Sequence, residues 1–277
     1  MEPERTLRCG YVTVGPGRMH YREAGSRHHP CLLLLHQSPS SSAMYETLML
    51  QLADDFHLLA PDTPGFGNSE ALAGAPGDAD IAQYAAAIRG FLDAMGIAQC
   101  QLFGHHTGAG IAVQLAHDFP EAVTAMVLSG PPLLSEELKT ALPGLASPIP
   151  LAADGSHLLA MWQRIAAKDP EAPLAIIQRE VQLAFGCGDH YQASYIAVTE
   201  QPFAQQLPSI DCPVLVFAGD ADPLYGAVEP TVALLPNARR VELPGGERTY
   251  VCERQAPWVA DQLRAFLTSP ELNKKSE

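Results

Sequence analysis

No purely apolar run in this chain is longer than Cys31 to Leu35, far short of the ~20 residues that span a bilayer. Cationic side chains are scarce as well: 17 Lys+Arg stand against 31 Asp+Glu, a formal charge of -14. That balance argues against nucleic acid and against anionic membranes, since phosphate-rich partners reward a basic surface. The six cysteines, Cys9, Cys31, Cys100, Cys187, Cys212 and Cys252, include no C-x-x-C pair. A reduced, cytoplasmic protein is therefore expected, rather than a disulfide framework or a zinc site. Met1-Glu2-Pro3-Glu4-Arg5 is polar and leads into no apolar segment, so no signal peptide is expected. The tail from Ser269 to Glu277 is polar and expected to fray. There is no internal repeat and no low-complexity tract.

What the chain does have is 277 residues of 47% apolar content, enough for one sizeable core with an insertion. Tyr11–Val14 and Met19–Ala24 flank Gly15-Pro16-Gly17 and read as a hairpin. Cys31–Leu35 reads as a strand buried on both faces, as in a parallel sheet. The patterns continue with a helix over 43–52, a strand over 56–60 and a helix over 81–95. Cys100–Phe103 reads as a strand, and an amphipathic run begins by Ile111. Further strands are expected at 125–128, 214–218 and, shorter, 241–243, with a last helix at about 257–267. Such alternation predicts a mostly parallel, doubly wound α/β sheet with helices on both faces. Only 133–208 breaks the rhythm, with helical patterns at 157–167, 174–185 and 191–199 and no strand. The expected organisation is a core of 1–132 and 209–277, with 133–208 inserted as a helical lid.

Between the strand at Cys100 and the helix at Ile111 lies Gly104-His105-His106-Thr107-Gly108. A strand, a sharp turn and a helix form the setting of the G-x-S-x-G nucleophile elbow, but the central residue is His106. Three other segments complete a resemblance to the α/β-hydrolase superfamily over nearly the whole chain. Leu34-Leu35-His36-Gln37-Ser38-Pro39 resembles the turn that lends a backbone N–H to the oxyanion hole. Asp62-Thr63-Pro64-Gly65-Phe66-Gly67-Asn68-Ser69 matches the D-x-P-G-x-G-x-S loop, and Ala218-Gly219-Asp220-Ala221-Asp222-Pro223 resembles the turn carrying the triad acid, at Asp222. The triad histidine would fall in Pro244-Gly245-Gly246-Glu247-Arg248, where Arg248 occupies its slot beside Glu247. No histidine follows His190. Arginine does not lose its proton in proteins, so serine acyl-enzyme chemistry by the usual machinery is excluded.

The resemblance thus implies an atypical subgroup with a catalytic set drawn from His106, Asp222, Arg248 and Glu247, and an oxyanion site at the Gln37 and Thr107 N–H groups. It implies an Asp222–Arg248 pair, with the cation keeping His106 neutral as a base or nucleophile. His36, Ser38, Trp162, His190, Tyr191 and Tyr195 are the candidates for substrate contact, with His36 and His105 also readable as structural. Asp62 and Ser69 are expected to shape their loop. The reaction so implied is hydrolysis of an ester or lactone on a small, partly apolar or aromatic molecule. A cofactor-free lyase, isomerase or oxygenase step with His106 as base stays open, as does a non-catalytic ligand-binding role. A facial set of His36, His106 and Asp222 or Glu247 could hold a metal, but nothing in the spacing demands it, and neither metal nor cofactor is expected. The expected partner is a small molecule, and self-association into a homodimer stays open.

Overall fold

A computed structural model describes residues 6–243 and 245–269. The readings of Met1–Arg5, of Pro244 and of the tail beyond Ser269 lie outside the described residues. The elements are β1 (Arg8–Val14), β2 (Gly17–Ala24), β3 (Cys31–Leu35), α1 (Glu46–Leu52), β4 (His57–Pro61), α2 (Ile81–Ala94), β5 (Cys100–His105), α3 (Thr107–Asp118) and β6 (Val123–Ser129). Then come α4 (Glu136–Leu145), α5 (Ser156–Ala166), α6 (Leu174–Gly186), α7 (His190–Glu200) and α8 (Phe203–Gln206). The chain closes with β7 (Val214–Phe217), α9 (Val228–Leu234), β8 (Ala238–Arg240), α10 (Val251–Arg254) and α11 (Ala256–Leu267).

The eight strands form one sheet in the order β1-β2-β4-β3-β5-β6-β7-β8. The β1–β2 hairpin and the β2–β4 pairing are antiparallel, and every later pairing is parallel. Alternation along β3 shows why the sheet needs helices on both faces. Leu33 and Leu35 pack with the apolar sides of α2 and α3, while Leu32 and Leu34 pack with those of α1 and α11. All four leucines are fully buried. Helix α2 starts where the Asp80 carboxylate accepts the Gln83 N–H and the Gln83 side chain returns to the Asp80 N–H, a capping box that satisfies two orphan donors.

One strand differs from expectation. The last parallel partner is Ala238–Arg240, three residues before the expected 241–243, and Leu243 makes only an isolated bridge to Gly219. An edge strand buries little, so its register follows backbone pairing with Val214–Val216 rather than an apolar run.

From 133 to 208 the chain carries helices and turns only. Helix α4 is not distinct in the sequence because Pro143 and Gly144 lie in its last turn. Met161, Ile165, Ile177, Ala184 and Tyr191 build a third apolar cluster, shared with Phe66 and Tyr250 of the core. No described helix is long and apolar enough to cross a membrane.

Candidate active site

His106 sits where β5 turns into α3, at φ 48° and ψ -111°, and is the one non-glycine residue at positive φ among the described residues. The turn closes only because its neighbours lack side chains. A Cβ on Gly104 would lie 2.4 Å from the Gly108 carbonyl oxygen, and one on Gly108 would lie 2.0 Å from that of Leu35. The His106 N–H donates to the Ser129 carbonyl (2.9 Å), tying the elbow to β6.

The imidazole of His106 reaches Asp222: Nε2 lies 2.8 Å from Oδ2. The other carboxylate oxygen, Oδ1, accepts the Leu224 N–H at 2.8 Å. Burial alone would raise the Asp222 pKa. The charge and hydrogen bond of His106 outweigh it, and the carboxyl is held below the ordinary carboxylate range. An ionised acceptor on Nε2 makes that nitrogen an N–H donor and leaves Nδ1 as the ring nitrogen turned away from Asp222. Nδ1 has no hydrogen-bond partner among the described residues.

The expected Asp222–Arg248 pair is therefore corrected. Asp222 is engaged by the elbow histidine itself, and no described carboxylate lies within ion-pair distance of Arg248. Glu247 does not face His106 either. Its carboxylate is buried, accepting from Gln255 Nε2 at 2.7 Å and lying 3.4 Å from Arg254 Nε. The residue of this segment that meets the cavity is Thr249, whose hydroxyl donates to Gln37 Oε1 at 2.7 Å. The expected slot at Arg248 thus lies one residue before the one that meets the cavity.

Two further histidines are fixed as scaffolding. The Thr249 carbonyl accepts from His105 Nε2 (2.8 Å), and His105 Nδ1 accepts from the Ser129 hydroxyl (2.9 Å). Burial, reinforced by His106, lowers the His105 pKa to about 3, so this ring is neutral. It stacks on the His106 ring at a centroid distance of 4.2 Å. His36 donates Nδ1–H to the Gln37 carbonyl (2.7 Å) and accepts the Thr63 N–H at Nε2 (2.9 Å). Burial keeps it neutral too, and it joins the loops after β3 and β4. Asp62 accepts from the Ser42 and Asn68 N–H groups and pairs with His20, which fixes its loop.

His106, Thr107, Gln37, Ser38 and Thr249 border a cavity of about 610 Å³ roofed by α4, α5 and α7. The Thr107 and Gln37 N–H groups have no acceptor among the described residues. Tyr191 and Tyr195 line the cavity as expected, whereas His36, Trp162 and His190 do not. Trp162 packs in the apolar cluster of the helical insertion. His190 lies against Phe66, ring centroids 6.5 Å apart, in space that the missing Cβ of Gly65 leaves open. The leucines of α4 and two cations, Arg164 and Lys168, also border the cavity. Their signal in the sequence is two cations four residues apart in an otherwise apolar helical stretch. The considered metal set is not assembled: among the described residues no three His, Cys, Asp or Glu side chains could share an ion.

A model of the alpha/beta hydrolase fold family matches residues 30–250. The chain belongs to the α/β-hydrolase fold family. It is 36% identical over 107 residues to an uncharacterized hydrolase of Saccharomyces cerevisiae, a match covering 39% of this chain and 36% of that protein. The chain thus spans about a third of the length of the curated relatives it matches first. Among solved structures, a putative lipase from Acinetobacter baumannii superposes with a TM-score of 0.81 at 21% identity, covering 98% of this chain and 93% of that one. The enol-lactonase from Burkholderia xenovorans gives 0.79 at 22% identity, covering 94% of this chain and 100% of that one. At such identities the likeness is one of fold.

Proposed function

We propose that this α/β-hydrolase fold protein hydrolyses an ester or lactone of a small, largely apolar molecule, with His106 as general base and 133–208 as the lid. The observation that carries this reading is the 2.8 Å contact from His106 Nε2 to Asp222 Oδ2 at the tip of the elbow. It fixes the ring with Nε2 on Asp222 and offers Nδ1 as the nitrogen that would take a proton.

In this reading a water molecule sits between Nδ1 and the substrate carbonyl. As the water oxygen bonds to the carbonyl carbon, its proton passes to Nδ1 and the carbonyl electron pair moves onto oxygen. The Gln37 and Thr107 N–H groups receive that oxyanion, and Asp222 stabilises the imidazolium. Collapse breaks the bond to the leaving alkoxide, which takes the proton from Nδ1. A base role is favoured over nucleophilic attack because Nδ1 adjoins the ring carbon bonded to Cβ.

The test is turnover of a panel of apolar esters and lactones by wild type, His106→Ala and Asp222→Asn. Hydrolysis by wild type is expected to fall by roughly 100-fold or more in both variants, the range of a lost general base. Exchange of a substrate C–H for deuterium without cleavage would move the reading to proton abstraction from carbon. Binding without turnover, unaffected by His106→Ala, would overturn catalysis altogether.

A further inference from the structure

Lys168 and Arg164 border the cavity, and among the described residues neither has a carboxylate within ion-pair distance. The Lys168 ammonium donates to the Tyr195 hydroxyl at 3.3 Å and lies close to those of Tyr191 and Tyr250. It lies 5.4 Å from the centre of the Tyr191 ring and 5.9 Å from that of Tyr195. Arg164 spends one N–H on the Ser147 carbonyl (2.7 Å) and lies over the Tyr191 ring at 5.9 Å.

The neighbouring cations are treated differently. Arg179 is bonded to both Glu180 and Glu253, and Arg254 to Asp169 at 2.9 Å with Glu247 at 3.4 Å. Asp169 follows Lys168 directly, yet its carboxylate goes to Arg254. Glu180 is near enough to feel the Lys168 charge, but its Oε1 is committed to Arg179 and to the Ser40 hydroxyl. In a chain of net charge -14, counter-ions are plentiful, yet among the described residues both cations that border the cavity lack one; Arg239 and Arg248 lack one too, but neither borders the cavity. A half-buried cation is costly to leave uncompensated. Two aromatic faces offset part of that cost but leave ammonium and guanidinium hydrogens unused.

We infer that Lys168 and Arg164 form an anion subsite, and that the molecule bound against His106 carries a carboxylate on its apolar body. The inference rests on the hydrolase reading for what happens next to His106, but the subsite stands on binding alone. It narrows the substrate class from apolar esters and lactones to those with a free acid group, and hydrolysis then forms a second carboxylate in the cavity before the product leaves.

The test is calorimetric binding of matched acids and primary amides, hexanoate and phenylbutanoate against hexanamide and phenylbutanamide, at constant ionic strength. Wild type and His106→Ala are both expected to prefer each acid by roughly tenfold or more, the worth of one charge-assisted hydrogen bond. Lys168→Met should remove the preference while leaving amide affinity unchanged, Lys168→Arg should keep it, and Arg164→Gln should weaken it. Circular dichroism and thermal unfolding check that each variant is folded. Equal affinity for acid and amide, no binding of any acid, or a preference that survives Lys168→Met would overturn the subsite. Because binding is read without turnover and in His106→Ala, failure of the hydrolase reading and failure of the subsite are separate results.

Discussion

Gly130 lies against the ring of His106: a Cβ on Gly130 would fall 2.3 Å from His106 Cδ2 and 2.6 Å from Nε2. The glycine holds φ at 59° and leaves the space in which the imidazole lies flat toward Asp222. Gly130→Ala is thus expected to push the ring off Asp222 and to destabilise the fold by about 1–2 kcal/mol through the strained backbone. A crystal structure of the variant checks the ring, and urea unfolding the stability. An unmoved ring at 2.8 Å from Asp222 would remove Gly130 from the account.

Restoring serine chemistry tests which position faces the elbow. His106→Ser alone should show no esterase activity, since no general base then adjoins the hydroxyl. Adding Arg248→His should change nothing, because Arg248 does not border the cavity, whereas Thr249 does. Adding Thr249→His instead places an imidazole on the cavity wall, and ester hydrolysis should appear in that double variant. Activity in the Arg248→His combination would return the register to the one that motif spacing implies.

Acid stability has a defined sign. Burial opposes ionisation of Asp62, but His20, His36, Ser42 and the Asn68 N–H lower its pKa from 3.8 to about 2. A depressed carboxylate stabilises the fold fully above its unfolded pKa, and that contribution fades as pH falls from about 4 to about 2. His105, lowered from 6.5 to about 3, acts in the same direction over a higher window. The fold must suppress a charge that the unfolded chain accepts below pH 6.5. Unfolding free energy should be level above neutrality and decline steadily below it. Asp62→Asn should lose about 2 kcal/mol at neutral pH and progressively less toward pH 2. A flat profile between neutrality and pH 4 would contradict the neutral assignment of His105.

The helical segment 133–208 is joined to the segment after β8 by charge. Arg179 in α6 bonds Glu253 in α10 at 2.6 and 2.7 Å while also holding the buried Glu180. Arg179→Met leaves two carboxylates facing each other and should destabilise by about 3–5 kcal/mol. Adding Glu180→Gln and Glu253→Gln should recover most of that loss. Chemical unfolding of the three proteins decides it, and a single variant as stable as wild type would show that the network contributes little.

Much of this architecture is legible in the amino-acid sequence. β3 is a run of leucines, α2 carries its own cap residues, and the glycines around His106 announce a turn that admits no Cβ. Less legible is whatever depends on tertiary register. Strand β8 escapes the apolar pattern because edge pairing leaves no trace in Ala238-Arg239-Arg240. The resemblance of Pro244-Gly245-Gly246-Glu247-Arg248 to the family segment favours Arg248 over Thr249 because it cannot tell which side chain of a loop turns inward. The His106–Asp222 contact is hidden for a related reason. Local pattern shows a histidine where a nucleophile usually stands, whereas its reach to the acid depends on how two distant loops meet. Lys168 and Arg164 show in the sequence only as two cations four residues apart, because an unpaired cation is recognised only once every neighbouring carboxylate has a partner.

The steric closure of the elbow also bears on how such a protein can diverge. Position 104 is pinned by Gly108, position 108 by Leu35, and position 130 by the imidazole itself, so mutations there are paid for in folding. Position 106 asks only for a residue that accepts φ 48°, which histidine does more readily than most bulky side chains. Position 106 is consequently the member of its turn that the surrounding glycines constrain least by contact. A side chain of different chemistry can be placed at that point by a single substitution while the scaffold around it stays intact.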